Sequence, residues 1–386
     1  MTKCIGEMMN KKERYDIRRF GVRLGLFLLL VFAPITFGLV SLYKAGEIRS
    51  FSSYIHPLEK GQLFELGYSY VDKAYKFHMT DEVMRPQVLA LGSSRIMQVR
   101  HFIVSPDYTF YNAGGAIQKV PELSLFLNKL HDSPKLILVN IDQWWFNRAY
   151  LNDDQPFDPS VYDEPELDLL KLGRIVCDFY TDLVKGKINL VKVYSSEHIG
   201  LNAICNDIGF CADGSPNSSD RAIIPEEQDD YNFKDALERI RVGNNRFQYG
   251  DRADSTQICD LEDFLSQCVA RHIKVVGFLP PFAPYVYQKM QETGKYGYMS
   301  QLYNMLLPVF DKFEGCSIYD FTDVTDMDAH NYDFYDGFHG SEIIYNGIIR
   351  QMVRQDSTLA PFFVSEREMD RLDSIYISKN RRLHTL

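Results

Sequence analysis

The sequence predicts an α/β domain, a mainly parallel sheet between two helical layers, tethered by one N-terminal membrane helix. Three observations predict it. Short apolar runs alternate with segments of helical spacing from about residue 87 onward. Polar or glycine-rich loops follow several of those runs. A long apolar segment stands directly behind a basic head.

The head and the apolar segment come first. Residues 1–23 hold seven basic side chains against three acidic ones, a net +4. The whole chain has a formal charge of −10, which leaves −14 for the remainder. An acidic body repels phosphate backbones, so nucleic-acid binding is not expected. From Leu24 to Tyr43 (LGLFLLLVFAPITFGLVSLY) there is no acidic or basic side chain. At about 1.5 Å per residue this stretch matches the roughly 30 Å hydrocarbon thickness of a bilayer. Pro34 is a kink that membrane helices tolerate. Only Lys44 and Arg49 follow closely, so charge asymmetry places the N-terminus in the cytoplasm and residues from about 45 outside. A buried core helix or a cleaved signal peptide are the alternatives. The length of the run and the absence of an A-x-A site favour an uncleaved, single-pass anchor.

Residues 44–86 read as a stalk and 87–355 as the main domain. A polar insertion occupies about 150–255, and 356–386 form a C-terminal tail. Val88–Leu91, Tyr108–Tyr111, Leu136–Ile141, Ile273–Leu279 and Ser317–Phe321 are the expected strands. Runs this short and continuous suit strands buried on both faces. Pro121–Leu130, Asp260–His272, parts of Val286–Phe310, and Ser341–Val353 carry helical spacing. Strands alternating with helices imply right-handed crossovers and a parallel sheet. Six cysteines lie beyond the anchor; Cys205 and Cys211 are near enough in sequence to pair, with buried free thiols the alternative. No cysteine or histidine cluster has zinc spacing.

In open parallel sheets, ligands collect beyond the carboxyl ends of the strands. Three loops there carry chemistry. Gly92-Ser93-Ser94-Arg95 follows the first strand, where the Ser94 hydroxyl is either a helix cap or a nucleophile near unpaired N–H groups. Asn112-Ala113-Gly114-Gly115 follows the second, either as an ordinary turn or as a source of oxyanion donors. Asp336-Gly337-Phe338-His339 precedes the last helix. An Asp three residues before a His can turn back to hold Nδ1–H, leaving Nε2 to accept a proton. The acidic stretch from Asp320 to Asp336 is read as a solvated turn rather than a Ca²⁺ site, because its spacing matches no EF-hand loop.

The order of these blocks resembles the SGNH/GDSL hydrolase superfamily over about residues 87–355, excluding the insertion. Gly92-Ser93-Ser94 overlays the family's G-D-S, and Asp336-x-x-His339 its terminal block. The resemblance implies a flavodoxin-like fold with Ser94 as nucleophile, His339 as base and Asp336 as its orienter. It implies an oxyanion hole from the N–H of Ser94 and that of Gly114 or Gly115. Two departures stand out: Ser93 replaces the usual Asp, and the third block reads Asn140-Ile141-Asp142-Gln143-Trp144-Trp145-Phe146, without an Asn in the G-x-N-D register. Gln143 is then the candidate replacement donor, with core packing of the two tryptophans as the alternative. Arg95 is either a contact for an anionic substrate or an ion-pair partner.

Both departures resemble the branch that contains the D-alanyl transfer protein of lipoteichoic acid biosynthesis (DltD) and related envelope acylation factors. That resemblance implies a bacterial, membrane-anchored, extracytoplasmic serine esterase or O-acyltransferase acting on acyl groups of an envelope polysaccharide or polymer. No metal or organic cofactor is expected. A multipass membrane-bound O-acyltransferase (MBOAT) is the implied partner. Transfer and hydrolysis both remain open, as does a non-catalytic scaffold that retains the hydrolase fold.

Overall fold

The computed structural model describes residues 11–153, 156–217 and 231–379. The start of the basic head, the polar stretch 218–230 and the end of the tail lie outside the described residues. The elements begin with α1 (Lys11–Ala45), α2 (Asp72–His78), β1 (Val88–Gly92), β2 (Phe110–Gly114), α3 (Val120–Lys129) and β3 (Leu136–Asn140). Next come α4 (Arg148–Asp153), α5 (Leu169–Val184), α6 (Leu190–Ser195), α7 (Leu201–Asn206), α8 (Lys234–Val242) and α9 (Ser255–Ala270). The chain continues through β4 (Lys274–Leu279), α10 (Pro284–Thr293), α11 (Gly297–Phe310), β5 (Cys316–Asp320), α12 (Glu342–Gln355) and α13 (Glu366–Lys379).

Two compact units divide these elements. The smaller comprises residues up to Arg49, Glu65–Ser69 and Glu166–Asn206. Within it, Arg14–Ala45 is long and apolar enough to cross a membrane, with a mean hydropathy of 2.3 over its most apolar window. Leu42 and Ala45 of α1 pack with Ile175, Phe179, Val193, Leu201 and Ile204 to form a core. The carboxylate of Glu47 accepts N–H groups from Gly67 at 2.8 Å, Tyr68 at 3.1 Å and Leu201 at 2.6 Å. Burial pushes the Glu47 pKa up despite those three donors.

The larger unit holds a five-stranded, all-parallel sheet in the order β2-β1-β3-β4-β5. This is a common doubly wound order, with a topological switch between β1 and β3. Every residue of β1, β2 and β3 is buried, as expected of a sheet covered on both faces. Register aligns Gly92 with Gly114, bringing the two glycine-bearing strand ends side by side. Pro121 enters α3 in its first turn, where its missing N–H costs nothing, and Asp254 caps α9 by accepting the Thr256 N–H.

Four expectations need correction. The second strand begins two residues and ends three residues later than the apolar run suggested, so Asn112, Ala113 and Gly114 lie within β2. Residues 44–86 are not a separate stalk: Ser50–Phe64 and Tyr70 onward belong to the sheet unit, and Glu65–Ser69 to the helical one. The insertion is likewise split, with 166–206 in the unit that contains α1. The C-terminal segment forms α13, which is tied to α12 by Asn346 and Arg350 donating to Asp373 at 2.7 and 2.6 Å. The cysteines among the described residues, including Cys205 and Cys211, are free thiols.

Candidate active site

Gly92 ends β1 at φ +152°, and a Cβ added there would stand 1.8 Å from Asn140 Oδ1. Only glycine permits that approach. The close approach lets the Asn140 side chain hold the next residue: its Oδ1 accepts the Ser93 N–H at 2.9 Å, and its Nδ2 donates to Ser93 Oγ at 3.0 Å. Ser93 Oγ in turn accepts the Arg95 N–H at 3.2 Å, capping the short turn Ser94–Ile96. The capping role considered for Ser94 therefore falls to Ser93, and the Ser94 hydroxyl is free to face elsewhere.

It faces His339. Ser94 Oγ lies 2.8 Å from His339 Nε2, and His339 Nδ1 donates to Asp336 Oδ2 at 2.6 Å. That second bond fixes the tautomer in which Nε2 accepts the serine proton. Asp336 Oδ1 also accepts the N–H groups of Phe338 and His339, at 2.9 and 2.8 Å. Burial would raise the Asp336 pKa, but the imidazole and these two donors outweigh it and hold the carboxyl well below its ordinary 3.8. The three residues expected to meet at one rim are in contact in series.

Arg95 ties this rim together from below. Its Nε donates to the Phe338 carbonyl at 3.0 Å, and its Nη1 to Gln143 Oε1 at 2.8 Å and Asp142 Oδ1 at 3.4 Å. Its Nη2 reaches the Pro281 carbonyl. The guanidinium also lies over the rings of Phe282 and Trp144, at 4.6 and 4.9 Å. Arg95 is buried, so it is not a substrate contact; it takes the ion-pair role with Asp142. Burial pushes Asp142 upward in pKa, and Arg95 opposes the shift.

The expected oxyanion donors are mostly committed elsewhere. Gly114 N–H donates to Asn112 Oδ1 at 2.7 Å, and Gly115 N–H to the Gly92 carbonyl at 2.9 Å. Gln143 is buried, and its Nε2 donates to the Pro280 carbonyl and to Thr322 Oγ1, at 2.8 and 2.9 Å. These glycines and Gln143 thus build the rim rather than offer hydrogen bonds at it. The Ser94 N–H, first in its turn, has no acceptor among the described residues.

Ser94 opens on a cavity of about 610 Å³ whose walls include Tyr70, Gly115, Trp145, Tyr150 and Arg246. Two further wall residues stand out, of which Arg246 escaped the sequence reading. Trp145 carries a buried Nε1–H without a partner among the described residues. Arg246, at φ +78°, lies over the rings of Phe338 and Trp144, at 5.7 and 5.8 Å, and pairs with no carboxylate among the described residues. Nothing in the spacing around Arg246 marked it, because only the return of the insertion brings it to the sheet. In the acidic stretch, Asp320 and Asp323 accept N–H groups within their own turns, and Asp333 accepts that of His330.

No family model and no curated protein matches this chain.

Proposed function

We propose that the protein is an extracytoplasmic serine acyl-esterase or O-acyltransferase of SGNH type, anchored in a bacterial membrane by α1. Its substrates would be acyl groups on envelope glycans or polymers. The observation that carries this reading is the continuous series Ser94 Oγ–His339 Nε2–Asp336, whose serine lines the cavity. The strand order 2-1-3-4-5 and the site at the carboxyl ends of the strands support a flavodoxin-like, three-layer version of that fold.

In the proposed reaction His339 Nε2 takes the Ser94 proton as Oγ bonds to the acyl carbonyl carbon. The negative oxygen accepts hydrogen bonds from the Ser94 N–H and from Arg246 on the cavity wall. Collapse expels the alkoxide, which leaves with the proton from Nε2. An acceptor hydroxyl, or water, then repeats the steps in reverse and releases Ser94. A membrane-bound O-acyltransferase that presents acyl groups at the outer face is the proposed partner.

Transfer is favoured over hydrolysis by the G-S-S block and by the apolar N-terminal helix, which would keep the enzyme beside a membrane-borne donor. The experiment is to present the purified full-length protein with short acyl esters and glycan acceptors. Acyl-glycan product supports transfer. Rapid release of free acid without transfer identifies an esterase. A second reading, a non-catalytic scaffold, is favoured by one observation: the N–H groups of both Gly114 and Gly115 are bonded within the protein. Absence of labelling by a fluorophosphonate, under conditions that label other serine esterases, selects that reading.

A further inference from the structure

The helical unit raises a question of depth. The last charge before the apolar run is Arg23 and the next is Lys44. Covering roughly 30 Å of hydrocarbon takes about 20 residues, so a spanning α1 must use the whole run from Leu24 to Tyr43. Residues 24–37 are exposed, whereas Gly38, Ser41, Leu42 and Ala45 are buried within the unit. Residues of α5, α6 and α7 cover them, and the ones that reach farthest back along α1 are on α5 and α6. The Tyr180 hydroxyl donates to the Pro34 carbonyl, and its ring lies against Gly38, where an added Cβ would come within 3.0 Å. Ser41 Oγ and Tyr194 Oη share a hydrogen bond of 2.9 Å. At about 1.5 Å per residue, Pro34 stands some 15 Å along the span from Leu24, and Ser41 some 25 Å. The helices that touch these residues are therefore packed on the distal half of the span.

Their outer surfaces match that depth. Leu169 and Leu170 at the start of α5 are 86% and 87% exposed, Val184 at its end 86%, and Val191 on α6 77%. Along α5 the exposed line Leu170, Gly173, Cys177, Thr181 and Val184 recurs at helical spacing without a charge. Arg174 borders it and sits 3.8 Å from Asp178, long enough to snorkel toward headgroups. Lys185 follows α5 at the surface.

We propose that α5 and α6 are seated in the leaflet nearest Tyr43, with Leu169, Leu170, Val184 and Val191 against lipid acyl chains. The inference rests on the reading of α1 as a spanning helix. The bilayer is its occupant because the apolar surface is continuous with the span itself, in one packed unit. Part of the insertion is then a membrane-seated collar around the anchor.

The test places a fluorescent noncanonical residue, one site at a time, at the exposed positions Leu28, Leu170, Val184 and Arg367 of the full-length protein in phosphatidylcholine vesicles. Lipids brominated on their acyl chains quench from the hydrocarbon, and iodide quenches from water. Fluorophores at 28, 170 and 184 should lose most of their emission to brominated lipid and little to iodide, with the reverse at 367. Iodide quenching at 170 and 184, with lipid quenching retained at 28, overturns the proposal and leaves the spanning reading intact. Iodide quenching at 28 overturns both. Mutual quenching by a second copy would appear as emission that recovers on dilution into excess lipid, and also counts against lipid contact.

Discussion

Ser94 and His339 are 245 positions apart in sequence and 2.8 Å apart in space, and the proposed chemistry depends on that pair. Replacing His339 by Ala removes a general base, which typically lowers turnover by about 10²–10⁴-fold. The Ser94→Ala protein should retain substrate binding and form no acyl-enzyme, a loss that intact-protein mass spectrometry reads directly. Arg246→Ala tests the wall donor: loss of one oxyanion contact costs about 10²–10³-fold in kcat with little change in KM. An effect confined to KM would instead make Arg246 a binding residue. Asp336 sets a pH dependence. Its carboxyl is held below the ordinary 3.8, so the stability it contributes is complete above that value and is lost as pH falls through the depressed one. Urea unfolding at stepped pH below about 4 should show a steeper decline for the wild type than for Asp336→Asn.

At the scale of elements, the strand-end loops hold one another. Gly92 makes room for Asn140, Asn140 holds Ser93, and Ser93 caps the turn that begins with Ser94. Gly92→Ala forces a Cβ into Asn140 and should cost about 3 kcal/mol or more in unfolding free energy. Arg95→Met leaves Asp142 buried without its countercharge and should cost about 3–5 kcal/mol, measured by the same unfolding experiment. If Arg95 were a substrate contact, that variant would keep wild-type stability and lose only affinity. Much of this architecture was legible in sequence because it is local. Buried strands of a parallel sheet read as unbroken apolar runs, and Asp336 and His339 share one loop. The end of β2 was less legible, since Asn112 and Gly114 look like turn residues. Asn112 instead donates to the carbonyls of Ile96, Met97 and Val99, holding the segment after the nucleophile. The fate of Gln143 and the glycine N–H groups was illegible for the same reason as Arg246: each depends on contacts between distant loops, which no spacing encodes.

Across the whole molecule, the sequence separates a charged head, an apolar helix and an acidic body, and the structure divides the chain at other points. The split insertion is the clearest case, with 166–206 folding beside α1 and later residues lining the cavity. Its polar composition reads in sequence as one continuous insertion. Its two parts are proposed to perform different tasks, one seated at the membrane and one supplying Arg246 to the wall above Ser94. The central claim is that Ser94 is an activated nucleophile. Its most direct measurement is reaction of the detergent-solubilised full-length protein with a fluorophosphonate, followed by peptide mass spectrometry. One modified site, Ser94, is expected, with labelling abolished in Ser94→Ala and strongly slowed in His339→Ala. An unlabelled wild type, or a label on another serine that survives Ser94→Ala, would contradict the claim.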